Sequence, residues 1–155
     1  MNTTLTLRFL AEPTDVNFGG KVHGGAVMKW IDQAGYACAA QWCGGYAVTV
    51  YVGGIRFMSP IHIGSIVEIR AKIIYTGTTS MHIAVDVYSK RPEATTYIHN
   101  THCIIVFVAV DSTGAPTSVA PYSPTTPDEI KLQQYAKRLM ELRKGIELEM
   151  SEFMQ

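Results

Sequence analysis

The chain has 155 residues, with 13 Lys plus Arg against 13 Asp plus Glu, so its formal charge is zero. One domain with a real core is expected at this length, and neutrality excludes a bulk electrostatic attraction to DNA or RNA. Hydrophobic residues make up 47% and charged ones 17%, below the usual quarter, so the apolar excess implies an oligomer or a large apolar site.

No run of about eighteen apolar residues occurs, so no spanning helix or membrane insertion is expected. The start, Met1-Asn2-Thr3-Thr4-Leu5, lacks the basic region and apolar stretch of a secretory leader. Cys38, Cys43 and Cys103 lie in apolar segments and are odd in number. They read as free thiols of a reducing compartment, which places the protein in the cytoplasm.

Thr3 to Leu10 alternates loosely and reads as a first strand. Ala11 to Gly25 is rich in turn residues. Ala26 to Cys43 has no Pro, much Ala, and apolar residues on nearly every face, the mark of a buried helix. Gly44-Gly45 ends it. Four strands then follow: Tyr46–Phe57, Ile66–Tyr75, Met81–Tyr88 and Tyr97–Val110. In the second of these, Glu68, Arg70 and Lys72 alternate with Val67, Ile69, Ala71 and Ile73. Short links such as Thr76-Gly77-Thr78-Thr79 point to antiparallel pairing. Pro116, Pro121, Pro124 and Pro127 mark a linker. Thr126-Pro127-Asp128-Glu129 has the form of a capped helix start. The final helix, to about Met154, puts Leu132, Tyr135, Leu139, Leu142 and Ile146 on one stripe, with Gly145 a weak point. It reads as a packing or oligomer helix. A helix this apolar needs a curved sheet around it, so the plan is α+β, with residues 1–121 as the domain and 122–155 as linker and helix.

Asp32 stands two turns inside the buried helix with almost no other charge near it. It is either an i,i+3 partner of Lys29 or a functional carboxylate. Val22-His23-Gly24-Gly25 precedes the helix, where free N–H groups and small residues suit an oxyanion. His23 is either a general base or an ordinary loop residue. Asn17 is either a turn residue or an amide that orients water or a carbonyl. Gly25 and Asp32 are seven residues apart, roughly 10 Å along a helix axis. A base must lie within about 3 Å of its proton partner. If the helix start holds an oxyanion, Asp32 reaches it only from a second subunit. In His99-Asn100-Thr101-His102, i and i+3 point to opposite faces of a regular strand, which argues against zinc. No phosphate loop, dinucleotide fingerprint or nucleophile elbow occurs.

The segment Asp15-Val16-Asn17-Phe18-Gly19-Gly20-Lys21-Val22-His23-Gly24-Gly25, then Met28-Lys29-Trp30-Ile31-Asp32-Gln33-Ala34-Gly35, resembles the hot-dog-fold acyl-CoA thioesterases, in particular the cytosolic acyl-CoA hydrolase branch. Phe57-Met58-Ser59-Pro60, Gly77-Thr78-Thr79-Ser80 and Val106-Phe107-Val108-Ala109-Val110-Asp111 continue the likeness. It covers roughly Leu7 to Pro121. The resemblance implies a long helix wrapped by an antiparallel sheet. It also implies hydrolysis of an acyl-CoA to a free acid and CoA, with no cofactor beyond the CoA of the substrate. Asp32 takes the position of the aspartate that activates water or attacks the thioester. Asn17 takes that of an asparagine from the other subunit. Gly25, with Gly24 and His23 beside it, takes that of the carbonyl-polarising helix start. Gly77, Thr78, Thr79 and Ser80 match a loop near CoA. The family often has Arg at the position of Thr78, so Arg56, Lys90 or Arg91 is expected to supply the missing cation. Gly53-Gly54 stand where an aspartate is common. A homodimer at least is implied, with a trimer of dimers (hexamer) or a dimer of dimers above it. A hot-dog dehydratase or hydratase pairing His23 with Asp32, and a non-catalytic acyl-CoA binding protein, are the alternatives.

Overall fold

The computed structural model describes residues 2–154. Five strands form one antiparallel sheet: β1 (Thr4–Leu10), β2 (Tyr46–Phe57), β3 (Ile66–Thr76), β4 (Ser80–Lys90) and β5 (Ile98–Val110), in the order β1-β3-β4-β5-β2. Helix α1 (Gly24–Cys43) lies on one face and touches all five strands. Helix α2 (Pro127–Ser151) lies on the other face. This is the hot-dog arrangement expected from the sequence.

Small residues set how closely α1 sits in the sheet. Ala26, Ala34, Cys38 and Ala39 are buried along it. At Gly35 a Cβ would come within 2.9 Å of the Phe107 ring and 3.0 Å of Ile105, so only glycine allows this approach to β5. The opposing sheet face is aliphatic: Val67, Ile69, Ile73, Ile83, Val85, Val87 and Ile105 are buried with α1 in one cluster. Each such side chain contributes about 1.5–3 kcal/mol by leaving water. Gly44, at φ 69°, ends the helix in the left-handed conformation that glycine adopts without strain.

Two expectations need correction. Helix α1 is not covered all round: Met28, Lys29, Asp32, Gln33 and Tyr36 are exposed. The uncovered stripe runs at i, i+4, i+8 through Met28, Asp32 and Tyr36, beside edge strand β2 with its exposed Val50 and Val52. The second correction concerns His99 and His102. A register shift between the pairs Val87↔Thr101 and Tyr88↔His99 leaves Asn100 as an extra residue in β5. That bulge turns both histidines to the same side, where both reach Asp86 Oδ1, at 2.8 and 2.9 Å. Burial pushes the Asp86 carboxyl up, but the hydrogen bonds and charges of the two histidines outweigh it and hold it below the carboxylate range.

On the outer face, Leu132, Tyr135, Ala136 and Leu139 of α2 pack on Ile74, Ala84 and Ile104. The rest of the stripe leaves the core: Leu142 and Ile146 are exposed. Thr126 and Glu129 cap the helix reciprocally. Tyr122 belongs to the inner core and packs edge-on against Trp42, whose indole donates to the Ala120 carbonyl at 2.9 Å. The start of the linker is thereby fixed to α1. Cys38, Cys43 and Cys103 are free, as expected. Burial pushes the Cys38 and Cys103 thiols up to about 11.

Candidate active site

The chain reaches α1 through a tight turn. Val16 bridges to Val22, and Asn17 holds the loop between them. Its Oδ1 accepts from the N–H groups of Gly19 (2.8 Å) and Lys21 (3.0 Å). Asn17 is therefore a turn residue, and the same bonds leave its exposed amide NH2 pointing away from them. The two readings of this residue are compatible.

His23 is the N-cap of α1. Its Nδ1 accepts from the Ala26 N–H at 3.0 Å. That bond requires the neutral ring to carry its proton on Nε2, so the imidazole has no free lone pair for base work. Gly25 permits the fold-back, since a Cβ there would meet the His23 ring at 3.1 Å. With Ala26 and Val27 served by His23, Gly24 and Gly25 hold the N–H groups left over at the helix start. A cavity of about 400 Å³ opens there, lined by Val27, Phe57, Met58, Ile61 and Asn100 among others.

Asp32 makes no ion pair with Lys29. It accepts instead from Thr49 Oγ1 at 2.7 Å, a bond from the edge strand to the helix. Beside it lies a separate, mostly apolar cavity of about 170 Å³, formed by Met28, Ile31, Val52, Ile55 and Ile105. A carboxylate oriented by one hydroxyl, with its other oxygen free at the mouth of an apolar pocket, can take a proton from water or attack a carbonyl. The contact of Thr49 with Asp32 was missed from the sequence. A threonine in a strand is unremarkable by itself, and only the placement of β2 against α1 reveals its partner.

The residues assigned to CoA fall into two groups. Gly77, Thr78, Thr79 and Ser80 form the β3–β4 turn, tied by the Gly77 N–H to the Ser80 carbonyl and by the Val119 N–H to the Thr78 carbonyl. Lys90 and Arg91 lie at the far end of β4, which spans 11 residues, about 33 Å at strand rise. Arg56, near the end of β2, shares that far end with the start of α1, since it pairs with His102 early in β5. Lys90 donates to the Ala94 carbonyl at 3.0 Å. Within one chain the cations thus accompany the helix start and the turn does not. Among the described residues, no three His, Cys, Asp or Glu side chains gather as a metal cage.

The family model of the thioesterase superfamily matches residues 19–96. The acyl-CoA thioester hydrolase YciA of Escherichia coli K12 is 35% identical over 119 residues, which is 74% of this chain and 89% of that protein. An acyl-CoA hydrolase from Staphylococcus aureus, solved with butyryl-CoA and CoA, has a TM-score of 0.88 at 25% identity, covering 97% of this chain and 92% of that one. A hexameric acyl-CoA thioesterase has a TM-score of 0.87 at 29% identity, covering 92% and 91%. Alanine variants of the S. aureus enzyme at an asparagine, an aspartate and a threonine were also solved. The intervals between those three residues equal the intervals between Asn17, Asp32 and Thr49. The chain belongs to the thioesterase superfamily.

Proposed function

We propose that this protein hydrolyses acyl-CoA thioesters to a free carboxylic acid and CoA, in sites shared between subunits. The observation that carries the reading is the Asp32–Thr49 pair at the apolar cavity, in a chain whose relatives are acyl-CoA hydrolases. Thr49 fixes one carboxylate oxygen, and the free oxygen activates water against the thioester carbonyl or attacks it directly. The Gly24 and Gly25 N–H groups receive the charge that develops on the carbonyl oxygen. Asn17 offers its amide NH2 to the water or the substrate. His23 acts by capping the helix and so aiming those N–H groups. A dehydratase would need His23 as its base, and the bond to Ala26 opposes that.

Residues 1–121 are assigned as the catalytic unit and 122–155 as a linker and clamp on the outer sheet face. The partner is a second copy at least. The exposed Met28, Val50 and Val52 around Asp32 supply the apolar surface for it, and a hexameric relative supports a trimer of dimers. Arg56, Lys90 and Arg91 of one subunit and the Gly77–Ser80 turn of another hold the CoA. No cofactor is assigned beyond that CoA. No helix of the described residues is long and apolar enough to cross a membrane, and a cytoplasmic location is assigned.

An acyl-CoA panel from acetyl to palmitoyl, read by thiol release, tests the reaction. Wild type that releases no more CoA than Asp32→Ala ends the proposal. Mixed oligomers of Asn17→Ala and Asp32→Ala test the sharing: each is inactive alone and the mixture regains part of the activity. A mixture as inactive as its components would assign both residues to one subunit's site.

A further inference from the structure

A third cavity lies on the opposite face of the sheet from Asp32, between α2 and strands β2, β4 and β5. Its volume is about 150 Å³ and its walls include Ile104, Val106, Ala136, Leu139 and Met140. An apolar cavity of that size holds a molecule of about six heavy atoms. Beside the hydroxyls of Tyr51 and Tyr135, one imidazole and one guanidinium break its lining. His82 is 3% exposed, yet among the described residues its ring makes no hydrogen bond; only burial and the charge of Arg143 act on it. Together they push it down to about 4, so the imidazole is neutral with an N–H to donate. Arg143 has a buried Nε without a hydrogen-bond partner, and its guanidinium sits 4.7 Å from the centre of the Tyr51 ring. Glu147 lies 3.2 Å from that nitrogen but is more than half exposed, and it does not line the cavity. No lining residue is acidic.

Buried polar groups are normally hydrogen-bonded; the His82 ring has no partner among the described residues, and the only carboxylate Arg143 meets there is that of the exposed Glu147, outside the cavity. We propose that this outer cavity binds a short-chain monocarboxylic acid, its carboxylate between Arg143 and His82 and its chain against Ile104 and Leu139. The volume suits an acid of about four carbons, which with its two oxygens has about six heavy atoms. The site is separate from the thioesterase centre. It rests on the proposed hydrolase activity only for the source of the acid, since an acid of this class is what such a reaction releases.

Calorimetric titration of the full-length protein with propionate and butyrate tests the site, with butanol as the neutral control. Saturable binding of the acids is expected, about tenfold or more tighter than butanol. Arg143→Gln should weaken the acids by a similar factor while leaving butanol unchanged. Leu139→Trp, which fills the cavity, should remove both, and intact melting curves would show that either variant folds. Asp32→Ala should leave acid binding untouched. Binding lost in Asp32→Ala but kept in Arg143→Gln would place the acid at the thioesterase centre and overturn the proposal. So would the absence of saturable binding, including the case in which a second copy covers the cavity. Thiol release by the same preparations reports separately on the hydrolase reading.

Discussion

The two helices use opposite solutions to packing on a sheet. Helix α1 has nine buried residues among 20, and α2 has one among 25. Helix α1 gets in by being narrow: Ala, Cys and Gly face β5 closely enough that a single methyl at Gly35 would collide with Phe107. Helix α2 stands off on larger side chains, docks only its first half through Leu132, Tyr135 and Leu139, and then runs past the core. Close packing fixes a backbone to a fraction of an ångström, which a carboxylate aimed at a reacting carbon requires. Loose packing leaves space between α2 and the sheet, whereas the cavities at α1 open at its start and along its uncovered stripe. Asp32, the carboxylate proposed to react, is therefore on α1, and the unfilled space of the outer face is under α2.

The strongest way to break this contrast is at Asp32. Asp32→Ala should lower the rate of CoA release by about a thousandfold, the contribution typical of a positioned base, with the melting temperature hardly changed because the side chain is exposed. A variant that retained most of its activity would detach the chemistry from α1. Thr49 comes next. Thr49→Val removes the bond that orients the carboxylate and should lower kcat by about ten- to a hundredfold with little change in KM. Thr49→Ser keeps the hydroxyl and should restore most of the rate. Equal loss in both variants would mean that the threonine acts by packing.

How much of this was legible in the sequence follows from how local each feature is. The caps could be read directly, because Gly44 and the Thr126–Glu129 pair act within a few residues of themselves. The strands could be read from alternation, and the central helix from its Ala content. The open stripe of α1 could not be read. Its residues Met28 and Tyr36 are apolar, and only the placement of β2 at the sheet edge shows that nothing in this chain covers them. The faces of His99 and His102 were misjudged for a similar reason: strict alternation assumes a regular strand, and a bulge at Asn100 is a property of the pairing with β4. Asp32 stood out as a lone charge. Thr49 did not, because its role depends on a contact across 17 positions of sequence.

The glycines of the two helices sharpen the packing contrast further. Gly35→Leu should destabilise the fold by about 1–3 kcal/mol, the usual cost of overfilling a core, as measured by urea denaturation. Gly145→Ala should do the reverse. A Cβ at Gly145 meets nothing within 4 Å, so alanine adds helix propensity of about 0.5–1 kcal/mol without a clash. Similar signs for the two substitutions would contradict the distinction between a tightly packed and a loosely packed helix.

The smallest effect lies at the start of α2 and can be separated by pH. Thr126→Ala removes one half of the capping box and should cost about 1 kcal/mol. The other half is the Glu129 carboxylate, which accepts from the Thr125 and Thr126 N–H groups and from the Thr125 hydroxyl. Backbone hydrogen bonds from Thr126 and then Thr125, with help from the side chains, hold it down at about 2 against an ordinary 4.5. A carboxyl depressed in the folded state binds its proton more weakly there than in the unfolded chain. Its stabilising contribution is complete above pH 4.5 and is lost as the pH falls towards 2. Amide exchange in the first turn of α2 should therefore quicken through that window, while the amides of α1, which has no acidic residue in its first turn, should not follow it. Glu129→Gln should flatten the response of α2, because the amide accepts similar bonds without titrating. If the response persisted, the acid loosening would have to come from Asp86, whose depressed carboxyl bonds to His102 and through it meets Tyr135 of α2.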